Sequence, residues 1–344
     1  MTESVLVCSV NWLGDCIMSM PAVAMFRSKY PETRIVVLAK SALTPLWSMN
    51  ETINEVFPFD DSLVGTVRAA VSVRRMGVDR AYIFPNSFRS ALIPAMARIK
   101  RRIGVPGDHR VFLLTERIDG FVRTGRRHQL WEYMAIMGLC GDEESIAACD
   151  MFLSDWRCPV KLEKTVSAPI TELLDAMPTH VTVGFVPGSA RGPSKQWPAE
   201  HFIKLGRLLI DAYNCRILLF GTSDERKHCE RISAGIERNV INLSGKTSLP
   251  ETATLMKGCD VVVTNDSGGM HLAAAAGARV MAIYGLTDPE ITGPIGNGHR
   301  ILSAETDRKG RDIARDSKEA RDALYSIAPD RVLQVLAEMF GVRR

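Results

Sequence analysis

Four short segments of this chain combine glycine with acid, hydroxyl, lysine or histidine side chains, and each follows an apolar run. The first, Asn11-Trp12-Leu13-Gly14-Asp15, comes directly after residues 5–10. Gly14 permits a tight turn from strand to helix, which leaves Asp15 near a helix N-terminus. A carboxylate there caps the helix or, where an acceptor hydroxyl must lose its proton, serves as a general base. The second is Pro187-Gly188-Ser189-Ala190-Arg191-Gly192-Pro193-Ser194-Lys195-Gln196-Trp197-Pro198. Its backbone N–H groups, Ser189 and Lys195 could hold a phosphate, although Gly/Ser/Pro loops are also ordinary turns. It has neither the Gly-Lys-Ser/Thr order of a Walker A loop nor Gly-x-Gly-x-x-Gly.

The third segment, Phe220-Gly221-Thr222-Ser223-Asp224-Glu225, stands past the second strand of a nucleotide-binding unit. An acid there can accept from ribose hydroxyls. A helix-capping role accounts for Ser223 or Asp224, which leaves Glu225 as the carboxylate of interest. The fourth is Thr264-Asn265-Asp266-Ser267-Gly268-Gly269-Met270-His271. Gly268 and Gly269 let backbone approach a ligand, and the helix start behind them offers free N–H groups to an anion. A lone His271 would more often be structural. Asp266, Ser267, two glycines and His271 in one strand-end loop form a stronger pattern.

These segments need strands that end where they begin, and the apolar pattern supplies them. Strand-like runs at 5–10, 34–39, 55–59 and 80–85 alternate with helical patterns at 16–30, 63–76 and 88–99. The scheme restarts at 181–187 and continues through strands at 216–221, 240–243, 260–264 and 279–284. Short apolar runs separated by helices predict parallel sheets covered on both faces. The expected fold is therefore α/β, with two doubly wound Rossmann-like domains at 1–165 and 179–325. Residues 326–344 add a helix that is a candidate to pack back across the domains. The stretch 305–322, with twelve charged residues in eighteen, reads as an exposed helix or loop and not as a site.

Composition excludes several classes. The 344 residues are 46% apolar and 24% charged, as in globular proteins. No apolar run reaches the length of a membrane span, and the first residues do not read as a secretory signal. Eight scattered cysteines without zinc spacing read as reduced thiols of a cytoplasmic protein. The net charge of +4 is unevenly spread, since residues 65–128 hold fourteen Lys or Arg against four acids. That block is either a solvated face or the footprint of an anionic partner.

The four segments, together with Pro-Asn-Ser-Phe-Arg-Ser-Ala at 85–91, resemble the bacterial ADP-heptose:lipopolysaccharide heptosyltransferases. Within that family the likeness is greatest to the group that adds the second inner-core heptose, and it runs over roughly residues 4–302. The resemblance implies a GT-B architecture, with acceptor bound by the N-terminal domain and ADP-sugar by the C-terminal domain, across a cleft. Carried over residue by residue, Asp15 matches the catalytic base and Lys195 the lysine near the donor diphosphate. Glu225 matches the ribose-side carboxylate. Gly188, Ser189, Asp266, Ser267, Gly268, Gly269 and His271 complete the nucleotide-sugar site. Asn11, Trp12, Gly14, Asn86, Ser87, Ser90 and Arg126 fall on the acceptor side. The implied partners are an ADP-sugar and an anionic, lipid-linked oligosaccharide at the inner membrane, with the protein peripheral on the cytoplasmic face and no nucleic acid bound. Family members often carry several cysteines where this chain has residues 303–322, yet nothing after Cys259 is cysteine here.

The implied reaction is one inverting displacement at the anomeric carbon. No Asp-x-Asp pair occurs in the chain, so no cofactor is expected, although Mg²⁺ on a bound diphosphate needs few protein ligands. Three competitors remain. A Rossmann oxidoreductase lacks its Gly-x-Gly-x-x-Gly, and a nucleic-acid binder lacks interleaved aromatics or a helix-turn-helix. A glycosyltransferase of the same fold using another ADP- or UDP-sugar differs only in sugar contacts.

Overall fold

Apolar runs with no polar side must be buried on both faces, and in this computed structural model they are buried in two separate sheets. The structure describes residues 3–107, 109–118, 127–306, 310 and 313–341, and the chain divides into two units, Met1–Lys161 and Leu162–Arg344. The first unit holds β1 (Ser4–Cys8), β2 (Arg34–Lys40), β3 (Glu55–Phe59), β4 (Arg80–Ile83), β5 (Arg101–Gly104) and β6 (Glu116–Arg117). All are parallel, in the order β3-β2-β1-β4-β5-β6. The second holds β7 (Thr182–Val186), β8 (Arg216–Leu219), β9 (Val240–Asn242), β10 (Val261–Asn265), β11 (Val280–Tyr284) and β12 (Arg300–Ser303). Its order, β12-β11-β10-β7-β8-β9, is also parallel throughout. Counted from its own first strand, each sheet runs 3-2-1-4-5-6, the arrangement of dinucleotide-binding sheets.

All nine strand-like runs read from the sequence are strands. Three more, β5, β6 and β12, escaped that reading because they lie at or beside a sheet edge. An edge strand needs no two-sided apolar run: β6 consists of Glu116 and Arg117, and β12 starts with two exposed residues.

In the second unit, Val183, Phe185, Val261 and Ile283 of the strands meet Phe202, Leu205 and Leu209 of the helix Ala199–Tyr213. The terminal helix Pro329–Gly341 contributes Val332, Leu336 and Met339 to that same core. It therefore closes the second sheet from its own side. The segment after the unit boundary is tied there too: Glu163 N donates to Thr254 Oγ1 and Ser167 N to Glu251 Oε1, both at 3.1 Å.

Part of the charged stretch is helical, one of the two forms expected of it. Its described residues include a helix, Lys318–Tyr325, with Ala320 and Leu324 buried. Gly310 pairs with Thr287, and the Arg315 carbonyl accepts from Ser194 N at 3.3 Å. The Arg315 side chain lies over Gly192, whose φ of 86° suits glycine, and a Cβ there would approach Arg315 Cγ to 2.8 Å.

All eight cysteines are free, and every one except the half-buried Cys158 is buried. Burial pushes the thiols of Cys8, Cys16, Cys140, Cys158 and Cys215 up to about 12. Because the thiolate is the reactive form, the folded protein is expected to react negligibly with Ellman's reagent at pH 8. All eight thiols should titrate once guanidinium unfolds it. Rapid release of one equivalent or more from the native protein would contradict this packing.

Candidate active site

Ligands of open parallel sheets bind beyond the carboxyl ends of the strands, where the strand order reverses. That point lies between β1 and β4 in the first unit and between β7 and β10 in the second. The four chemistry-bearing segments leave β1, β7, β8 and β10 at their carboxyl ends, so the topology delivers them to the correct edge of each sheet.

In the second unit the loops after β7 and β10 are joined by Asn265. Its side chain is fully buried; Oδ1 accepts from Trp197 N at 2.9 Å, while Nδ2 donates to Pro187 O at 2.7 Å and Gly188 O at 3.3 Å. Across this clamp Lys195 Nζ meets Asp266 Oδ2 at 2.5 Å, with only 12% and 7% of the two side chains exposed. The Tyr284 phenol is held well above its ordinary range, first by burial and next by the Asp266 charge, so it stays protonated.

The helix Gly268–Ala275 starts at Ser267, whose hydroxyl makes no cap; Ser267 Oγ and Ser194 Oγ are buried without a hydrogen-bond partner among the described residues. Glycine at 269 is a packing requirement, since a Cβ would stand 2.6 Å from Val186 Cγ1. Ser189 and His271 are buried at the same edge. Glu225 lies against Gly188, where an added Cβ would meet Glu225 Oε1 at 1.9 Å. Its other oxygen accepts from Thr222 N at 2.8 Å and Thr222 Oγ1 at 3.1 Å. Glu225 therefore combines a helix-start role with a place beside the glycine loop.

In the first unit Asp15 sits in the first turn of the helix Leu13–Lys29, after Trp12, and no side chain caps that helix. Gln129 Nε2 donates to Asp15 Oδ1 at 3.1 Å and to the Tyr133 hydroxyl at 2.7 Å. Burial, and next the Asp15 charge, push the Tyr133 phenol well above its usual range. Gly14 is buried, while Asn11 and Trp12 are exposed. Gln129 and Tyr133 escaped the sequence reading. They lie 114 and 118 residues from Asp15 on a separate helix edge, and nothing local links them.

The loop after β4 is organised from below by Arg110, which is fully buried and counts in the basic block only by composition. Its guanidinium donates to Pro85 O and to Val105 O, and it reaches Asn86 Oδ1 at 3.2 Å and Ser90 Oγ at 3.2 Å. Asn86 is exposed; Ser87 caps the helix Phe88–Met96, and Ser90 Oγ donates to Ser87 O at 2.6 Å. The block is thinned further by Arg101, paired with Glu116 at 2.6 Å, and by Arg102, which donates to Leu113 O and Ile99 O. Arg98 and Lys100 remain exposed. Arg123 and Arg126 lie outside the described residues.

Two sheets of 3-2-1-4-5-6 order in one chain, with a glycine-lined, lysine-bearing loop at the second switch point, are the GT-B plan of a nucleotide-sugar glycosyltransferase. The chain belongs to glycosyltransferase family 9 (heptosyltransferase), whose pattern matches residues 67–321. It is 32% identical to lipopolysaccharide heptosyltransferase 2 of Escherichia coli (strain K12), over 96% of this chain and 97% of that one. It is 29% identical to lipooligosaccharide heptosyltransferase 2 of Haemophilus ducreyi, over 98% and 99%. The solved structure of E. coli ADP-heptose lps heptosyltransferase II superposes with a TM-score of 0.79 at 28% identity, covering 98% of each chain.

The buried Lys195–Asp266 pair makes a direct stability test possible. Asp266→Asn strands an ammonium in a dry loop and should cost about 3 kcal/mol. Lys195→Met combined with Asp266→Leu should recover most of that loss. Urea unfolding followed by tryptophan fluorescence measures both, and a single variant as stable as wild type would refute the pair.

Proposed function

We propose that this glycosyltransferase moves heptose from ADP-heptose to the inner-core heptose of lipopolysaccharide, the second heptose addition, with inversion. The observation that carries the reading is the near full-length likeness to heptosyltransferases 2. The loops after β1, β7, β8 and β10 support it with side chains suited to each role.

In this reading the donor lies on the second unit. Lys195, held in place by Asp266, faces the diphosphate, together with the Ser267 hydroxyl and the N–H groups that open the helix Gly268–Ala275. These donors are fixed before the reaction and meet negative charge as it develops on the leaving ADP. Glu225 receives the ribose hydroxyls, and Gly188, Ser189, Gly269 and His271 complete the wall. The acceptor lies on the first unit, against Asn11, Trp12, Asn86 and the exposed basic side chains. Its hydroxyl oxygen attacks the anomeric carbon while the bond to the ADP phosphate oxygen breaks. Asp15 takes the hydroxyl proton, and Gln129, itself anchored on Tyr133, aims the carboxylate. The reading assigns no resident metal, and a Mg²⁺ ion on the diphosphate would be held chiefly by the phosphates. Turnover of ADP-heptose against ADP-glucose and UDP-sugars on a defined core acceptor tests the sugar.

Asp15→Asn keeps the size of the side chain and most of its hydrogen bonding, but removes its basicity. The variant is expected to fold, bind ADP-sugar nearly normally and lose roughly 10²-fold or more in kcat. Asparagine serves as well as aspartate near a helix start, so turnover within a few-fold of wild type would leave Asp15 with a structural role only.

Arg98→Gln with Lys100→Gln removes two exposed charges from the proposed acceptor side. The acceptor KM should rise by about fivefold and its salt dependence flatten, with donor KM unchanged. A rise in donor KM at constant acceptor KM would remove this segment from the acceptor site.

A further inference from the structure

The helix Leu63–Arg75 wears its aliphatic side chains on the outside. Its buried face is built from small or short residues, Gly65, Thr66, Ala69, Ala70 and Val73. Leu63 is 80% exposed, and Val64, Val67 and Val71 are 58%, 48% and 46% exposed. At ~100° per residue, positions 63, 64, 67, 68, 71, 74 and 75 share a single arc of roughly 140°. Arg75 and Arg68 therefore border the aliphatic row on one side and Arg74 lies within it, and the helix contains no acid.

The neighbouring helix Phe88–Met96 packs against it and extends the surface. Arg89 donates to Asp61 O at 2.7 Å and ties the two helix starts together. Phe88 and Met96 are exposed, and the Phe88 ring contacts that of Phe112, itself 70% exposed, at 6.0 Å between centroids. Of the adjoining acids, Asp61 pairs with Lys40 at 2.6 Å, while Asp60 accepts from Ser62 N at 2.9 Å and keeps its charge at the helix start. Aliphatic and aromatic groups with three arginines among or beside them and no acid within the helix suit an anionic surface with an apolar interior. A polar protein partner would leave the aliphatic row in water, and a second copy of the face would set arginine against arginine.

We propose that this face seats the protein on an anionic lipid bilayer. Leu63, Val64, Val67, Val71, Phe88 and Phe112 enter the boundary between headgroups and acyl chains. The arginines lay their stems along that boundary and reach lipid phosphates. Attachment is interfacial, because among the described residues no helix is long and apolar enough to cross a membrane. The inference deepens the functional reading and rests on it for its purpose, since a lipid-linked acceptor must be met at a bilayer. Both helices start just past carboxyl ends of first-sheet strands, the edge at which Asp15 and Asn86 stand. Seating this face therefore brings that edge towards the lipid.

The test is co-sedimentation of the full chain with vesicles of phosphatidylcholine alone and with about 30% phosphatidylglycerol. Wild type should favour the anionic vesicles. Val67→Glu with Val71→Glu, at positions already in water, should keep the wild-type melting temperature and lower the partition coefficient by about tenfold or more. Arg74→Gln with Arg75→Gln should lower it several-fold and weaken its salt dependence. Transfer to a deacylated, water-soluble acceptor should be the same in wild type and in the glutamate pair. Binding that ignores vesicle charge, or survives the glutamate pair, overturns the proposal. So does a lipid-free dimer that the pair dissociates, which would make the face a contact between copies. Vesicle binding and transfer are read separately: a wild type inactive on the soluble acceptor counts against the heptosyl reading, while sensitivity of vesicle binding to the glutamate pair still supports the docking face.

Discussion

Asn265 is sealed from solvent, so the polar atoms of its amide must find partners within the protein or each cost about 1–3 kcal/mol. It finds them in three backbone groups, Trp197 N, Pro187 O and Gly188 O, which belong to the far loop of the switch point. The loops after β7 and β10 are thus held at a fixed distance before any ligand arrives. Trp197, pinned by its N–H to Asn265, buries its ring against Phe202, and its indole donates to Ile327 O at 2.9 Å. Lys195 meets Asp266 because residues on either side of both are already anchored. An interaction of one amide with three peptide groups thus ties the loop after β7 to the loop after β10.

The two units use one strand order for opposite chemistry. At the second switch point the loops are rich in glycine and hydroxyls and lead into a helix whose first amides face outward, an arrangement suited to phosphate. At the first, a carboxylate occupies the corresponding first turn, where phosphate would be repelled. The scaffold is the same in both units, and it is the side chains at residues 11–15 and 188–195 that differ.

The alternation of strands and helices was legible because buried parallel strands must be apolar on both sides. Edge strands were not, since β6 is made of two charged residues. The candidate residues that lie on a strand-to-helix turn, Asp15, Gly188, Lys195, Asp266 and Gly269, have local sequence signals for their place in the fold. Their supports have none. Gln129 meets Asp15 across 114 residues and Arg110 reaches back 20 to 25 residues to the loop after β4, and no local spacing encodes either contact. Composition misled in the basic block: Arg110 and Arg102 are spent on backbone carbonyls and Arg101 on Glu116, so charge counted along the chain overstates charge offered to a partner. Ser87 and Ser90 show the same effect on a smaller scale, as their hydroxyls organise a helix start. In the charged stretch the exposed helix was legible, whereas the contact of Arg315 with Ser194 and Gly192 was not, since it joins residues more than a hundred apart.

That packing has a temporal side. The glycine loop after β7 is made more than a hundred residues before Arg315, whose carbonyl receives Ser194 N and whose side chain covers Gly192. Trp197 likewise awaits Ile327. On a ribosome releasing the chain from its N-terminus, the first unit has all its strands in hand while the loop of the second is still missing its cover. The second unit gains these contacts only once residues 315–327 are made. A ribosome stalled just before residue 315 has made all six strands of the first unit, while the second still lacks this cover.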